Sequence, residues 1–365
     1  MKKARVLEII GKRPVGGVGT VMLNYQKYVD AEKVQMDYLI FGEEAESFDE
    51  SVKALGSKVY MYPALSGSQM GRTKAYLEDF FALHATEYDI VHLHAPNIAF
   101  LAFPIIAKHG ITHRIIHSHA TLYAESKIKA IRNKILWILA QGKITDRIGC
   151  SKAAGDFLFG KEEFIVLKNA IAYEDYLYDE AVREMVRTRE NAVDKLIVGN
   201  VGRFSQQKNQ TFLIEIFAKI KEMHPNSEFW LVGDGETRSE IEDRIKTFRL
   251  EEDVRLFGMV NNTKELYQAM DVMVMPSLFE GLPMVGVEAQ ASGLPCVFAD
   301  TITKEVDIVG CPYIALEADT NEWANAAIEI SKAKERRSYP AELDALGFNI
   351  KLEAKRLEEL YLSKL

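Results

Sequence analysis

Cysteine is scarce in this 365-residue chain: Cys150, Cys296 and Cys311 are odd in number and follow no metal-site or disulfide spacing. That excludes a disulfide scaffold and fits a reducing cytosol. Long apolar runs are missing as well, none approaching the ~20 residues of a membrane-spanning helix. The basic opening MKKARVLEII is cut short by Gly11-Lys12-Arg13-Pro14, so it reads as a strand rather than a signal peptide. There is no cationic surplus: 45 Lys and Arg stand against 53 Asp and Glu, a net charge of −8, which argues against nucleic acid as a partner. The imbalance is local, because residues 1–170 hold 22 cations and 18 carboxylates and the remainder 23 and 35. Such asymmetry points to two domains with different partners.

What is present is the composition of a globular protein, 48% apolar and 27% charged. Strand-like runs recur at Arg5–Ile10, Met36–Phe41, Lys58–Tyr62, Asp89–His94, His113–His117, Arg147–Cys150 and Ile165–Leu167, with helical stretches between most of them. Residues 169–194 lack a clear strand and read as a connection with some helix of its own. The strand pattern restarts at Lys195–Asn200 and continues through Phe229–Val232, Val254–Gly258, Val272–Met275, Cys296–Ala299 and Pro312–Leu316. This alternation predicts α/β architecture: two parallel-sheet, Rossmann-like domains, at 1–170 and 195–340, joined by 171–194.

Residues 271–300, DVMVMPSLFEGLPMVGVEAQASGLPCVFAD, read as strand, loop, helix, strand. Glu280 lies in the loop at the carboxyl end of a strand, where ligands bind in open α/β sheets, and Glu288 lies eight residues on in the helix. Gly281, Leu282, Pro283, Met284 and Val285 span the helix start, whose backbone amides suit an anion such as a diphosphate. Spacing alone leaves open a plainer reading, with Glu280 a helix cap and Glu288 a solvated residue. After Lys195–Asn200 comes Gly202-Arg203-Phe204-Ser205-Gln206-Gln207-Lys208, two cations that can converge on one diphosphate. After the first strand, Gly16, Gly17 and Gly19 form a glycine-rich turn before a helix over Val21–Val29. The dehydrogenase fingerprint fails at Met22, which argues against a NAD site; a phosphate-facing loop and a purely conformational turn both remain.

Histidines end two strands. His92 reads as a hydrogen-bonded core residue, and His94 as a candidate for an acceptor pocket. His117 and His119 share a face if their strand persists, but the further ligands zinc would need are not evident. Asp234 and Glu236 read as caps for the next helix. In Glu125–Gln141, Lys127, Lys129, Arg132 and Lys134 interleave with Ile128, Ile131, Ile135, Leu136 and Leu139. That is either an ordinary amphipathic helix of the fold or one whose basic face docks on anionic lipid.

The 271–300 segment closely resembles the signature of retaining glycosyltransferases of the GT-B fold, family 4, through Glu280, Gly281, Leu282, Pro283, Glu288, Ala289, Gly293 and Pro295. The Gly-Arg-x-x-x-x-Lys element at 202–208 resembles theirs too, with Asn209 where glycine is commoner. Their glycine loop usually continues Ala-Glu-Arg, whereas this chain has Val18-Gly19-Thr20, so no side-chain role is carried over there. The resemblance implies two domains facing a cleft, with a final helix, within 341–365, crossing back to the first. It implies that Glu280 contacts the donor sugar and Glu288 the ribose hydroxyls. It also places a histidine, His119 or alternatively His117, beside the donor sugar. The loop after Val254–Gly258 would hold the base largely through its backbone.

No Asp-x-Asp, the metal-holding motif common in GT-A enzymes, occurs anywhere in the chain. Arg203, Lys208 and the helix-start amides are then left to neutralise the departing diphosphate. The expectation is a retaining, metal-independent hexosyltransferase with no cofactor beyond its nucleotide-sugar co-substrate, which is expected to be UDP-linked. Its acceptor would be a glycan or lipid-linked hydroxyl in polysaccharide biosynthesis. Capsule and exopolysaccharide enzymes are the nearest relatives in kind. Its place would be the cytoplasm, with contact to anionic membrane at the inner face. The alternatives are a GT-B nucleotide-sugar epimerase and a non-catalytic nucleotide-sugar-binding protein; a glycosidase would have no use for the phosphate elements.

Overall fold

The computed structural model describes the chain apart from residues 1, 12–16, 42–45, 63–69, 125 and 334–335. It divides into two compact units, Met1–Ala170 with Asn349–Leu365, and Ile171–Phe348. Residues 171–194 therefore belong to the body of the second unit. They include a helix at Glu180–Arg189 that Asp179 caps through its side chain. Arg183 and Arg187 of that helix pair with Asp271.

Among the described residues the first unit holds a seven-stranded sheet and the second a six-stranded one, every pairing parallel. The first sheet consists of β1 Ala4–Ile10, β2 Val34–Phe41, β3 Val59–Tyr62, β4 Ile90–Leu93, β5 His113–Ser118, β6 Asp146–Gly149 and β7 Ile165–Val166. Its order is β3-β2-β1-β4-β5-β6-β7. The second consists of β8 Leu196–Val201, β9 Ser227–Val232, β10 Val254–Gly258, β11 Val272–Met275, β12 Cys296–Ala299 and β13 Tyr313–Ile314. Its order is β10-β9-β8-β11-β12-β13. Both orders reverse direction once, between β1 and β4 and between β8 and β11. In open parallel sheets such a reversal opens a crevice at the carboxyl ends of the two strands, because the following helices lie on opposite faces.

Central strands covered on both faces are largely apolar, and β4, β8, β9, β11 and β12 are buried at every position. Polar residues are buried in such strands too: Glu8 on β1 and His92 on β4 have no exposed surface at all, and Asn200 on β8 and Glu228 on β9 are almost as covered. The last helix, Ile350–Leu362, capped by Asn349, packs in the first unit and buries Leu357 and Tyr361 there. Trp230 and Trp323 anchor the second core. The three cysteines are free and buried. No described helix is long and apolar enough to cross a membrane.

Candidate functional site

In the second unit the two loops flanking the strand reversal are laced together. Lys208 Nζ lies 2.6 Å from Glu280 Oε1, and Gln207 Nε2 donates to Phe279 O at 3.0 Å and Glu280 Oε2 at 3.2 Å. The Leu278 amide donates to Gln207 O, and Asn209 Nδ2 to Pro276 O. Asn209 adopts the left-handed conformation at φ 56° and opens the Gln210–Met223 helix. That backbone is why glycine is commoner at such a position, and asparagine is the side chain that best tolerates it. Gly233 makes the neighbouring turn possible: at φ 136°, a Cβ there would lie 2.0 Å from Gly202 O.

Arg203 is not drawn into this knot. Its side chain is 71% exposed and its Nε donates to Glu236 Oε2 at 2.9 Å. Asp234 accepts from the Gly235 amide and pairs with Arg238. The helix that follows, Arg238–Phe248, has Thr237 at its N-cap and no side-chain cap hydrogen bond. The expectation that Asp234 and Glu236 cap it is corrected: one braces its own turn and the other engages Arg203.

The helix after β11 runs Met284–Ala291, with Pro283 at its N-cap. The first-turn amides of any α-helix lack an intrahelical acceptor, so those of Met284 and Val285 head toward the loop that carries Glu280. On this helix Glu288 Oε2 accepts from the Tyr267 hydroxyl at 3.0 Å. Burial pushes its carboxyl above the ordinary range, opposed by hydrogen bonds from Tyr267 and Tyr176 and by the Lys264 charge. Glu288 is thus a carboxylate already gripped by two phenols, not a solvated helix residue. Neither tyrosine stood out in the sequence.

The first unit gathers four of the chain's eight histidines at the ends of β4 and β5. His92 Nδ1 lies 2.6 Å from the Tyr361 hydroxyl, which donates to Glu8 Oε1 at 2.8 Å. Glu8 Oε2 lies 2.8 Å from His94 Nε2, and His94 Nδ1 lies 2.8 Å from His119 Nε2. Burial lifts the Glu8 carboxyl to about 8, the Tyr361 hydrogen bond opposing it. Burial holds His94 at about 3. It also keeps His92, His117 and His119 far below their ordinary value, with neighbouring rings adding to the effect.

A neutral network fixes one set of proton positions. His92 donates to Tyr361, Tyr361 to Glu8, protonated Glu8 to His94, and His94 to His119. His119 Nδ1 is then a donor, and it has no partner among the described residues. Ionising Glu8 reverses the last two bonds and turns that nitrogen into an acceptor. His119 is half-buried as a residue, but this nitrogen is among its buried atoms.

Ring nitrogens of His92, His94 and His117 lie within 4.8 Å of one another. The His92 and His117 rings are stacked 5.2 Å apart, 5° between planes. Their in-plane lone pairs therefore lie in nearly parallel planes, and His92 Nε2 and both His117 ring nitrogens are buried with no hydrogen-bond partner among the described residues. The glycine segment differs from its sequence reading. The helix begins at Gly17 and runs to Tyr28, so Gly17 and Gly19 lie in its first turn rather than in a loop. Gly16 lies outside the described residues.

Comparison with known proteins places these features in context. Residues 195–333 match the family model described as glycosyl transferases group 1. The putative glycosyltransferase EpsF of Bacillus subtilis (strain 168) is 31% identical over 370 residues, covering 98% of this chain and 96% of that one. An Escherichia coli UDP-Gal:alpha-D-GlcNAc-diphosphoundecaprenol alpha-1,3-galactosyltransferase is 25% identical, covering 86% of this chain and 84% of its own. Among solved structures, Anabaena Alr3699/HepE in complex with UDP and glucose superposes with a TM-score of 0.80 at 19% identity, covering 99% of this chain and 100% of that one.

Proposed function

Because the chain belongs to the group 1 glycosyltransferases and has the GT-B fold, we propose that it transfers a hexose from a UDP-sugar, with retention, to a hydroxyl of a glycan or lipid-linked acceptor. The setting would be polysaccharide biosynthesis. Two relatives support the donor and acceptor classes. The Anabaena structure is described as holding UDP and glucose, and the Escherichia coli enzyme is named for a galactosyl donor and a diphosphoundecaprenol-linked acceptor.

The observation that carries the reading is the Lys208–Glu280 pair at the strand reversal, with Glu288 gripped behind it. In the reaction, the bond from the anomeric carbon to the diphosphate oxygen breaks and a bond to the acceptor oxygen forms. The negative charge that builds on the diphosphate would be met by Arg203, Lys208 and the amides of Met284 and Val285. Lys208 would exchange Glu280 for phosphate, freeing Glu280 to accept from hydroxyls of the sugar. Glu288 would take the ribose diol, a task for a carboxylate with two oxygens. His119, tied to His94, would offer Nδ1 to a further sugar hydroxyl. Cations filling the place of a metal make the reaction metal-independent in this reading.

Thermal-shift titration with UDP, GDP and ADP sugars identifies the donor, and NMR of the product gives its anomeric configuration. Lys208→Ala should lower kcat/KM by about 10²- to 10³-fold, the range for removing one charge-stabilising donor, and Arg203→Ala should also slow transfer. Wild-type rates in both variants, or turnover abolished by a chelator, would refute the assignment. Consumption of the donor without any acceptor would point instead to an epimerase.

A further inference from the structure

The helix Lys127–Ala140 wears its apolar stripe on the outside. Ile128, Ile131, Ile135, Ile138 and Leu139 fall at i, i+3, i+7, i+10 and i+11, one face of a 3.6-residue helix, and each is between 55% and 82% exposed. The opposite face is what the fold uses. Trp137 and Ala140 are buried, the Trp137 ring lies 5.9 Å from that of Phe159, and Asn133 Nδ2 donates to Tyr123 O. The structure thus overturns the reading of this segment as an ordinary amphipathic helix that turns its aliphatic side to the core.

Charge frames the stripe. Projected at 100° per residue, Arg132 and Lys129 lie on one side of it and Lys127 and Lys134 on the other. No Asp or Glu occurs between Glu125 and Asp146, although the chain as a whole is acidic. A protein partner or a second copy of an acidic chain could match the cations or the isoleucines, but an anionic bilayer matches both in this arrangement. Aliphatic side chains enter the acyl boundary while flanking cations stay at the headgroups. At 14 residues the helix is about 21 Å long, too short and too charged to span the bilayer and suited to lying in its surface.

We propose that this helix is a membrane-docking element that seats the first unit on anionic lipid through Ile128, Ile131, Ile135 and Ile138, with Lys127, Lys129, Arg132 and Lys134 on the headgroups. The inference deepens the reading of a lipid-linked acceptor, since a docked enzyme meets such an acceptor by two-dimensional encounter. It does not require that reading to be tested.

The experiment is co-sedimentation of the full chain, without sugar nucleotide, with vesicles of phosphatidylglycerol in phosphatidylcholine and with pure phosphatidylcholine. The wild type should bind the anionic vesicles and bind the neutral ones far less. A cation near an anionic surface contributes about fivefold to partitioning, so K127Q/K129Q/R132Q/K134Q should lose on the order of 10²-fold or more. The loss should shrink as salt rises. I131Q/I135Q/I138Q should lose at least about tenfold at every salt concentration. All seven side chains are exposed, and unchanged thermal unfolding checks that the variants fold.

Equal partitioning of wild type onto both vesicles, or unchanged binding by either variant, would overturn the proposal. So would a dimer, seen by light scattering, that dissociates in the isoleucine variant while vesicle binding is absent; a second copy would then be the occupant. Vesicle binding by an enzyme that fails the donor tests would leave the docking helix standing and the transferase reading refuted.

Discussion

Between pH 6.5 and 8 the wild-type chain should lose about 2 kcal/mol of stability relative to its Glu8→Gln variant. Glu8 has no exposed surface, and burial lifts its carboxyl from 4.5 to about 8. Because the folded value is the higher one, the stabilising contribution is complete below 4.5 and is lost as pH rises through 8. At about 1.4 kcal/mol per pH unit, the whole loss comes to about 5 kcal/mol. Its lower part is masked by the histidines. Their folded values lie below the ordinary 6.5, His94 at about 3, so they withdraw stability as pH falls below 6.5. The unfolded imidazoles still titrate just above 6.5, but they are common to wild type and Glu8→Gln, so the difference between the two isolates Glu8 over about one and a half units. Glutamine can donate to His94 and accept from Tyr361 with no proton to lose. Urea titrations of the full chain at several pH values, followed by Trp137, the one tryptophan of the first unit, give the difference between wild type and E8Q directly. Parallel profiles would show that Glu8 does not change its proton in this window, and the neutral relay to His119 would fall with it.

Three further outcomes follow from the second unit. Tyr267→Phe removes a hydrogen bond worth about 1 kcal/mol from Glu288, so donor KM should rise about fivefold with kcat changed less than about twofold; steady-state kinetics with unchanged KM would detach Glu288 from donor binding. Glu236→Ala breaks an exposed ion pair worth under about 1 kcal/mol. Urea stability should therefore barely move, while donor affinity, read by calorimetry, should hold or tighten as Arg203 is released; a tenfold weakening would mean that Glu236 itself binds. At Asn209, φ 56° predicts that Asn209→Ala is less stable than Asn209→Gly by about 1 kcal/mol, measured by denaturation, and equal stability of the two would remove the left-handed strain argument.

The fold was open to sequence reasoning because parallel strands covered on both faces leave unbroken apolar runs. Val272–Met275 and Cys296–Ala299 were found to the residue for that reason, Pro276 and Gly293-Leu294-Pro295 marking the gaps. The glycine segment resisted. Glycines suggest a loop, yet Gly17 and Gly19 lie in a first helical turn with Val18 and Thr20, none of them a strong helix former. Backbone propensity is a weak prior there, and the packing of Val21, Met22 and Tyr25 decides where the helix starts.

Side-chain partnerships are harder for a different reason. A carboxylate in the doubly covered run VLEII must have a partner, since an unpaired one would not be kept in such a strand, so Glu8 announces that a partner exists. Nothing local says that it is Tyr361, 353 residues away, or His94. The Lys127–Ala140 helix shows the same gap from the other side. Amphipathic spacing reveals that an apolar face exists, and the usual inference is that the face is buried. Here two residues, Trp137 and Ala140, are what the helix buries, with the Trp137 ring set against that of Phe159. The broader aliphatic stripe is thereby left over. An apolar stripe that a fold does not need to bury is a surface made for something else, and the cations on both its borders narrow that to a phase with apolar depth and anionic edge.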